Sequence, residues 1–203
     1  MNKKIKNILL KKNKSKIVSL TAYSKNIAKI LDKYVDIVLV GDSMANVLYG
    51  HKNTHQISLD SIIQHTKSVK KGIKKSLLVV DMPKGSYSNV KSAEKNAKHI
   101  IKVTKCEAIK IESNKKNYKI IEQLAKKNIP VMGHIGFTPQ FKKKFSIQGQ
   151  TKSQANNLLK EAKLIEKAGA FSIVLECLSP ESAKLITNNL KNAKIFLNGV
   201  NSS

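Results

Sequence analysis

The chain has no arginine and no tryptophan, and aromatic residues make up only 5% of its 203 positions. All 38 basic residues are lysines, set against 13 acids, so the formal net charge is +25. A basic excess of this size is the usual electrostatic footprint of a nucleic-acid binder. The missing arginine argues against that reading, because the planar guanidinium is what pairs bidentately with phosphate and guanine. The lysines are spread along the whole length among many Asn and Ile residues, the set that A/T-rich codons encode. They read as a solvated surface, and no specific nucleic-acid partner is expected. Long apolar runs are also missing. Ile37-Val38-Leu39-Val40 is far too short to cross a bilayer, so no membrane partner is expected. The lysine-rich start does not resemble a signal peptide. Two cysteines, Cys106 and Cys177, cannot build a disulfide framework, which makes a reducing cytoplasm the expected location.

What is present is a repeated alternation of short apolar runs with helical periods. Strands are expected at 17–20, 36–40, 77–80, 108–111, from 129, at 172–175 and at 194–197. Helical stripes lie between them, such as Ile27, Ile30, Leu31 and Tyr34, or Ala93, Ala97, Ile100 and Ile101. Ser179-Pro180-Glu181 is a helix start with Ser as N-cap and Pro in the first turn, and Gly169 closes the preceding helix. Seven strands joined by helices imply a parallel sheet. The expected fold class is α/β, a TIM-type (β/α)8 barrel. Such a barrel takes about 250 residues, so this one is expected to stop after about the seventh strand. The expected organisation is one incomplete barrel domain over 1–203, preceded at 1–15 by a basic helix or tail.

The few acids are placed selectively. Asp42, Asp81, Glu112 and Glu176 each follow directly on an apolar run, and His134 holds the same place after Val131-Met132-Gly133. In a parallel barrel the C-terminal strand ends converge on one pocket. Several carboxylates there repel one another unless a cation joins them, and an all-oxygen donor set suits Mg²⁺. Lys110 lies two residues before Glu112, on the same face of its strand. Taken singly, each residue has an ordinary structural explanation: a strand-end Asp or Ser43 can cap a helix, His134 can be a core histidine, and Cys177 a small core residue. Five such residues at strand ends together point to a site. The chemistry left open includes a metal-dependent keto-acid aldolase or lyase, with Lys110 as a Schiff base, and a degenerate, non-enzymatic barrel.

The same segments carry a family resemblance. Val40-Gly41-Asp42-Ser43 with Gly50-His51, Val80-Asp81-Met82-Pro83, Lys110-Ile111-Glu112, the run from Gly133 to Gln140, Ile147-Gln148-Gly149 and Leu175-Glu176-Cys177 occur in the order of the signatures of the ketopantoate hydroxymethyltransferase family. The chain resembles that family from about Ile17 to Leu190. It departs at Ala45, where the family usually has Gly, at Lys142-Lys143-Lys144, which replaces a Gly-Gly pair, at Gln150, and at Asn198-Gly199-Val200-Asn201.

The resemblance implies a (β/α)8 barrel that assembles as a homo-oligomer, commonly a decamer, in pantothenate biosynthesis. It implies transfer of a hydroxymethyl group from 5,10-methylenetetrahydrofolate to 3-methyl-2-oxobutanoate, giving 2-dehydropantoate through a Mg²⁺-stabilised enolate. By the same resemblance Asp42, Asp81 and Glu112 hold Mg²⁺. Asp42, Ser43, Asp81 and Lys110 bind substrate, Glu176 is the proton acceptor, and His134 supports it.

Overall fold

The computed structural model describes residues 2–12, 14–114, 117–142, 144–191 and 193–197. Lys143 and the run at 198–201, two of the family departures, lie outside the described residues. Seven parallel strands pair in chain order. They are β1 (Ser19–Thr21), β2 (Ile37–Val40), β3 (Leu77–Asp81), β4 (Ala108–Glu112), β5 (Val131–Gly136), β6 (Ser172–Glu176) and β7 (Ala193–Leu197). Helices α1 (Lys3–Leu10), α2 (Lys25–Leu31), α3 (Met44–Val47), α4 (Leu59–Lys70), α5 (Val90–Thr104), α6 (Tyr118–Lys126), α7 (Lys152–Lys167) and α8 (Pro180–Asn189) complete the alternation, with a 3-10 turn at Thr54–Gln56. Strand order equal to chain order is the pattern of a singly wound, TIM-barrel-like sheet rather than a doubly wound one. Among the described residues no pairing joins β7 to β1. No described helix is long and apolar enough to cross a membrane.

Two cores follow from strand alternation. Ile37, Leu39, Leu77, Val79, Ala108, Met132 and Val174 point to the inner side of the curled sheet. Ile5 and Ile8 of α1 join this cluster, so that helix packs on the inner core. The alternate residues, among them Val38, Val40, Leu78, Val80, Ile109, Ile111, Val131, Ile173 and Leu175, pack outward against the helices. A strand apolar at every position is what burial on both faces requires, and β2 is buried throughout.

Several expectations are corrected. Most of the apolar stripe expected on α2 does not face the core: Ile27, Ile30 and Tyr34 are exposed, Leu31 is half-buried against the core, and Ala28 is the buried residue. The cause is close packing on the end of α4. A Cβ on Gly72 would lie 2.4 Å from the Lys25 carbonyl and 3.0 Å from the Ala28 methyl, so only the small face of α2 fits there. On α6 the buried residues are Ile120, Ile121 and Leu124. Strand β5 runs on to Gly136, because its pairing with β6 continues to Gly136↔Glu176. His134 therefore sits inside a strand rather than after one. Ser179 does cap α8 with Pro180 at its start, and Gly169 takes a positive φ of 95° just beyond α7.

Candidate active site

Register brings the candidate residues to one face. Asp81 is opposite Lys110 across β3 and β4. Glu112, two residues on, is opposite His134 across β4 and β5. Gly136, two further along, is opposite Glu176 across β5 and β6. In a parallel sheet, paired residues and i, i+2 neighbours share a face. Asp81, Lys110, Glu112, His134 and Glu176 thus form a diagonal across the inner side at the C-terminal strand ends. Asp42 follows β2 directly and is buried, as are Asp81, Lys110, Glu112 and His134. The Glu176 side chain keeps 21% of its surface exposed, the most open of the set.

Lys110 Nζ donates to Asp81 Oδ1 at 2.5 Å. Asp81 Oδ2 accepts from the Asp42 backbone N–H at 3.2 Å. The two acids are locked in sequence order around one ammonium. Burial alone would strip Lys110 of its proton, but the charges of Asp81, Asp42 and Glu112 more than offset that and hold it above its ordinary value. Burial raises all three carboxyls: Asp42 upward, Asp81 to about 6 and Glu112 to about 9, with Lys110 the main opposing influence on each. Desolvation also keeps the His134 imidazole below its ordinary value, with Lys110 adding to the effect, so the ring is neutral near pH 7.

His134 bridges the remaining acids. Its Nε2 is 3.1 Å from Glu176 Oε2 and its Nδ1 is 3.8 Å from Glu112 Oε1. Neither ring nitrogen is well enough aligned to count as hydrogen-bonded, and Glu112 Oε1 has no hydrogen-bond partner among the described residues. Loose geometry of this kind is usual at a catalytic site without its substrate. Ser43, after Asp42, contacts the Tyr23 hydroxyl at 2.8 Å through its Oγ.

Three buried acids face one ammonium; ionising all three, against the upward shifts of Asp81 and Glu112, would leave a deficit of positive charge. Glu112 Oε1 is an orphaned acceptor within that set. Oxygen donors only, with excess negative charge, fit a hard divalent cation such as Mg²⁺. Among the described residues no three His, Cys, Asp or Glu side chains form a ready-made cage. Mg²⁺ does not require one, since it is commonly held by one or two carboxylates with waters and substrate oxygens completing the shell.

Sequence reasoning left three residues without a role here. Gln140 is buried, and its side-chain Nε2 donates to Asp42 Oδ2 at 2.8 Å and to the Met82 carbonyl at 3.0 Å. Its backbone N–H donates to Glu112 Oε2 at 2.9 Å. The buried Tyr87 hydroxyl donates to Gln140 Oε1 at 2.5 Å. Gln140 stands at the end of a quoted signature, which was its only signal; Tyr87 and Tyr23 had none. A separate cavity, lined among others by Ile5, Lys105, Glu107, Pro130 and Phe171, opens at the opposite end of the sheet. Glu107 there is already engaged by Lys4, Lys70 and the Leu78 N–H, so that end carries no comparable cluster.

Comparison with known proteins bears on the chain as a whole. The family model described as ketopantoate hydroxymethyltransferase matches residues 2–200. The chain is 54% identical over 191 residues to a 3-methyl-2-oxobutanoate hydroxymethyltransferase of Pelagibacter ubique (strain HTCC1062), covering 94% of this chain and 74% of the relative. It is 45% identical over 180 residues to the protein of the same name from Clostridioides difficile (strain 630), covering 86% and 66%. Among solved structures, a 2,3-dimethylmalate lyase of the PEP mutase/isocitrate lyase superfamily superposes with a TM-score of 0.72 at 14% identity, over 100% of this chain and 72% of that one. A phosphonopyruvate hydrolase in complex with oxalate and Mg²⁺ gives 0.67 at 11% identity, over 96% and 80%. At these identities the structural likenesses establish the fold alone.

Proposed function

The chain belongs to the ketopantoate hydroxymethyltransferase family, and from that premise we propose that it transfers a hydroxymethyl group from 5,10-methylenetetrahydrofolate to 3-methyl-2-oxobutanoate, giving 2-dehydropantoate. The observation that carries the reading is the diagonal of Asp81, Lys110, Glu112, His134 and Glu176 on one inner face, with Asp42 beside it. The proposal treats the chain as one barrel-type domain acting on a small keto acid and a folate, as a homo-oligomer in the cytoplasm.

Asp42, Asp81 and Glu112 are the residues proposed to hold Mg²⁺. When bound, the ion supplies Lewis-acid polarisation of the keto acid's carbonyl. Glu176 is the proposed base that removes the proton from C3 of the keto acid. It is the one acid of the set with solvent access, as entry and exit of a proton require. His134, neutral and 3.1 Å away, is the side chain that would orient the Glu176 carboxylate when substrate is bound. Lys110, kept charged by its acids, offers a fixed positive charge to the substrate's carboxylate and to the oxygen that gains charge as the proton leaves. Ser43, backed by the Tyr23 hydroxyl, is a second substrate contact. Water opens the folate's methylene bridge, both C–N bonds break and tetrahydrofolate leaves, so the CH₂ unit is delivered at the oxidation level of formaldehyde. The carbon nucleophile forms its C–C bond to that carbon, and the oxygen that came from water takes up a proton to become the new hydroxyl.

The charge state of Lys110 speaks against the Schiff-base alternative. An ammonium held by Asp81 at 2.5 Å and stabilised in its protonated form is a poor nucleophile. The test follows exchange of the C3 proton of 3-methyl-2-oxobutanoate for deuterium by NMR, without folate. The wild-type protein with Mg²⁺ should exchange it, and Glu176→Gln should not. Exchange at the wild-type rate in Glu176→Gln would remove Glu176 as the base, and absence of exchange in the wild type would remove the reading.

A further inference from the structure

We propose that Gln140 is the positioning residue of this site, holding the carboxylates of Asp42 and Glu112 in the orientation that receives a divalent cation, and that Tyr87 supports Gln140 in the required sense. The inference rests on the Mg²⁺ reading above and goes one step past it, to what aims the ligands. Gln140 lies in the loop after β5 but reaches across to the ends of three other strands: Asp42 beyond β2, Met82 beyond β3 and Glu112 ending β4. Among the described residues no other donates a hydrogen bond to both of those carboxylates.

The sense of the amide follows from the Met82 carbonyl, which can only accept. The end of Gln140 that faces it must be the NH₂ group, and the same NH₂ then donates its other hydrogen to Asp42 Oδ2. Reversed, the amide would set its oxygen against a carboxylate and a carbonyl at 2.8 and 3.0 Å. The buried Tyr87 hydroxyl adds a hydrogen bond to Oε1 in the sense that the Met82 carbonyl and Asp42 dictate. Every side-chain hydrogen-bonding direction the loop uses here is therefore fixed from outside the loop. Each carboxylate has one oxygen tied to Gln140, and Glu112 keeps its other oxygen, Oε1, without a hydrogen bond among the described residues. A positioning group that binds one oxygen and leaves its twin bare is what a metal-ligating carboxylate needs from its supporting shell.

The experiment titrates Mg²⁺ calorimetrically into the full chain as wild type, Gln140→Met and Tyr87→Phe, with folding of each checked by circular dichroism. Methionine fills the glutamine's volume without donors, and phenylalanine removes one hydroxyl. Loss of a hydrogen bond to a charged group is expected to weaken Mg²⁺ binding by about tenfold or more in Gln140→Met. Tyr87→Phe should weaken it in the same direction by a smaller factor. The fall in kcat should be recovered by raising Mg²⁺, which a purely structural defect would not allow. A folded Gln140→Met with wild-type Mg²⁺ affinity overturns the proposal and leaves the functional reading intact. If Gln140→Met does not fold, Tyr87→Phe decides: weakened binding supports the proposal and unchanged binding overturns it. A wild-type chain that binds no Mg²⁺ overturns the functional reading, and this proposal falls with it.

Discussion

Removing the carboxylate of Asp32 should destabilise the fold by about 3 kcal/mol, with a characteristic dependence on pH. Asp32 follows α2 and sits under the turn that leads from α4 into β3. Its two oxygens accept from the backbone N–H of Lys74 at 3.0 Å, of Lys75 at 3.0 and 3.1 Å, and of Ser76 at 2.8 Å. A hydrogen bond to a charged group contributes about 1.5–3 kcal/mol net, and orphaning a buried donor costs about 1–3 kcal/mol. The three donors do not count equally. Lys74 and Lys75 lie on an exposed turn, where water can replace the carboxylate, whereas Ser76 is buried and its N–H would lose its partner. The main cost of Asp32→Ala is thus one orphaned N–H plus part of the charged hydrogen-bonding, about 3 kcal/mol in all. Asp32→Asn keeps one neutral acceptor and should lose about half as much.

Burial pushes the Asp32 carboxyl up, but the N–H groups of Ser76, Lys75 and Lys74 outweigh it and hold the group below its ordinary value. A carboxyl lowered in the folded state contributes stability that is fully present above its unfolded value and lost as pH falls through its folded value. Urea unfolding at pH 7 should show the full loss for Asp32→Ala. The gap between mutant and wild type should close as the pH is taken down below the ordinary carboxylate range. A loss below about 1 kcal/mol at pH 7, or a gap that does not narrow in acid, would refute the reasoning. The test reaches the site indirectly, because this turn fixes the start of the strand that ends in Asp81.

Lys110→Met leaves Asp81 buried without its counter-charge and should destabilise the metal-free protein by about 3–5 kcal/mol, measurable by denaturant titration; a change under about 1 kcal/mol would mean the pair is not buried as described. Gly136→Ala forces an alanine to a φ of 97° and sets its Cβ 2.1 Å from the Glu176 carbonyl. It should lower thermal stability and suppress C3-proton exchange together, since the same contact fixes the backbone of the proposed base; wild-type behaviour in both would refute it. Mg²⁺ should raise the thermal midpoint of the wild-type protein and EDTA should reverse the rise, because a ligand bound only by the folded state stabilises it. Glu112→Gln, which keeps shape but not charge, should respond less to the ion.

Much of the strand–helix alternation was legible because each strand is its own short-range signal: an apolar run ended by an acid at Asp81, Glu112 and Glu176. The inner and outer faces were harder, since a strand buried on both sides shows no alternation to read. His134 shows the limit. Its neighbours in sequence placed it after a strand, and only pairing with β4 and β6 shows it inside one. The exposed stripe of α2 fails for a related reason, as periodicity marks an apolar face but not whether a neighbour is close enough to cover it. At α2 the neighbour is Gly72, and its backbone admits an alanine rather than an isoleucine.

The same limit explains why the acids could be nominated from the sequence and the residues around them could not. Carboxylates at strand ends are conspicuous in a chain with so few acids. Gln140 and Tyr87 are ordinary residues whose significance lies only in contacts 98, 58, 53 and 28 positions away in the chain. Ligand atoms can be nominated from local pattern because their chemistry is rare. The groups that aim them are common and are selected by distance alone. That asymmetry makes the Gln140 substitution the more discriminating one: loss of function on replacing Asp42 would follow from almost any role, whereas loss of Mg²⁺ affinity on replacing a neutral amide behind it follows only if orientation is what the amide supplies.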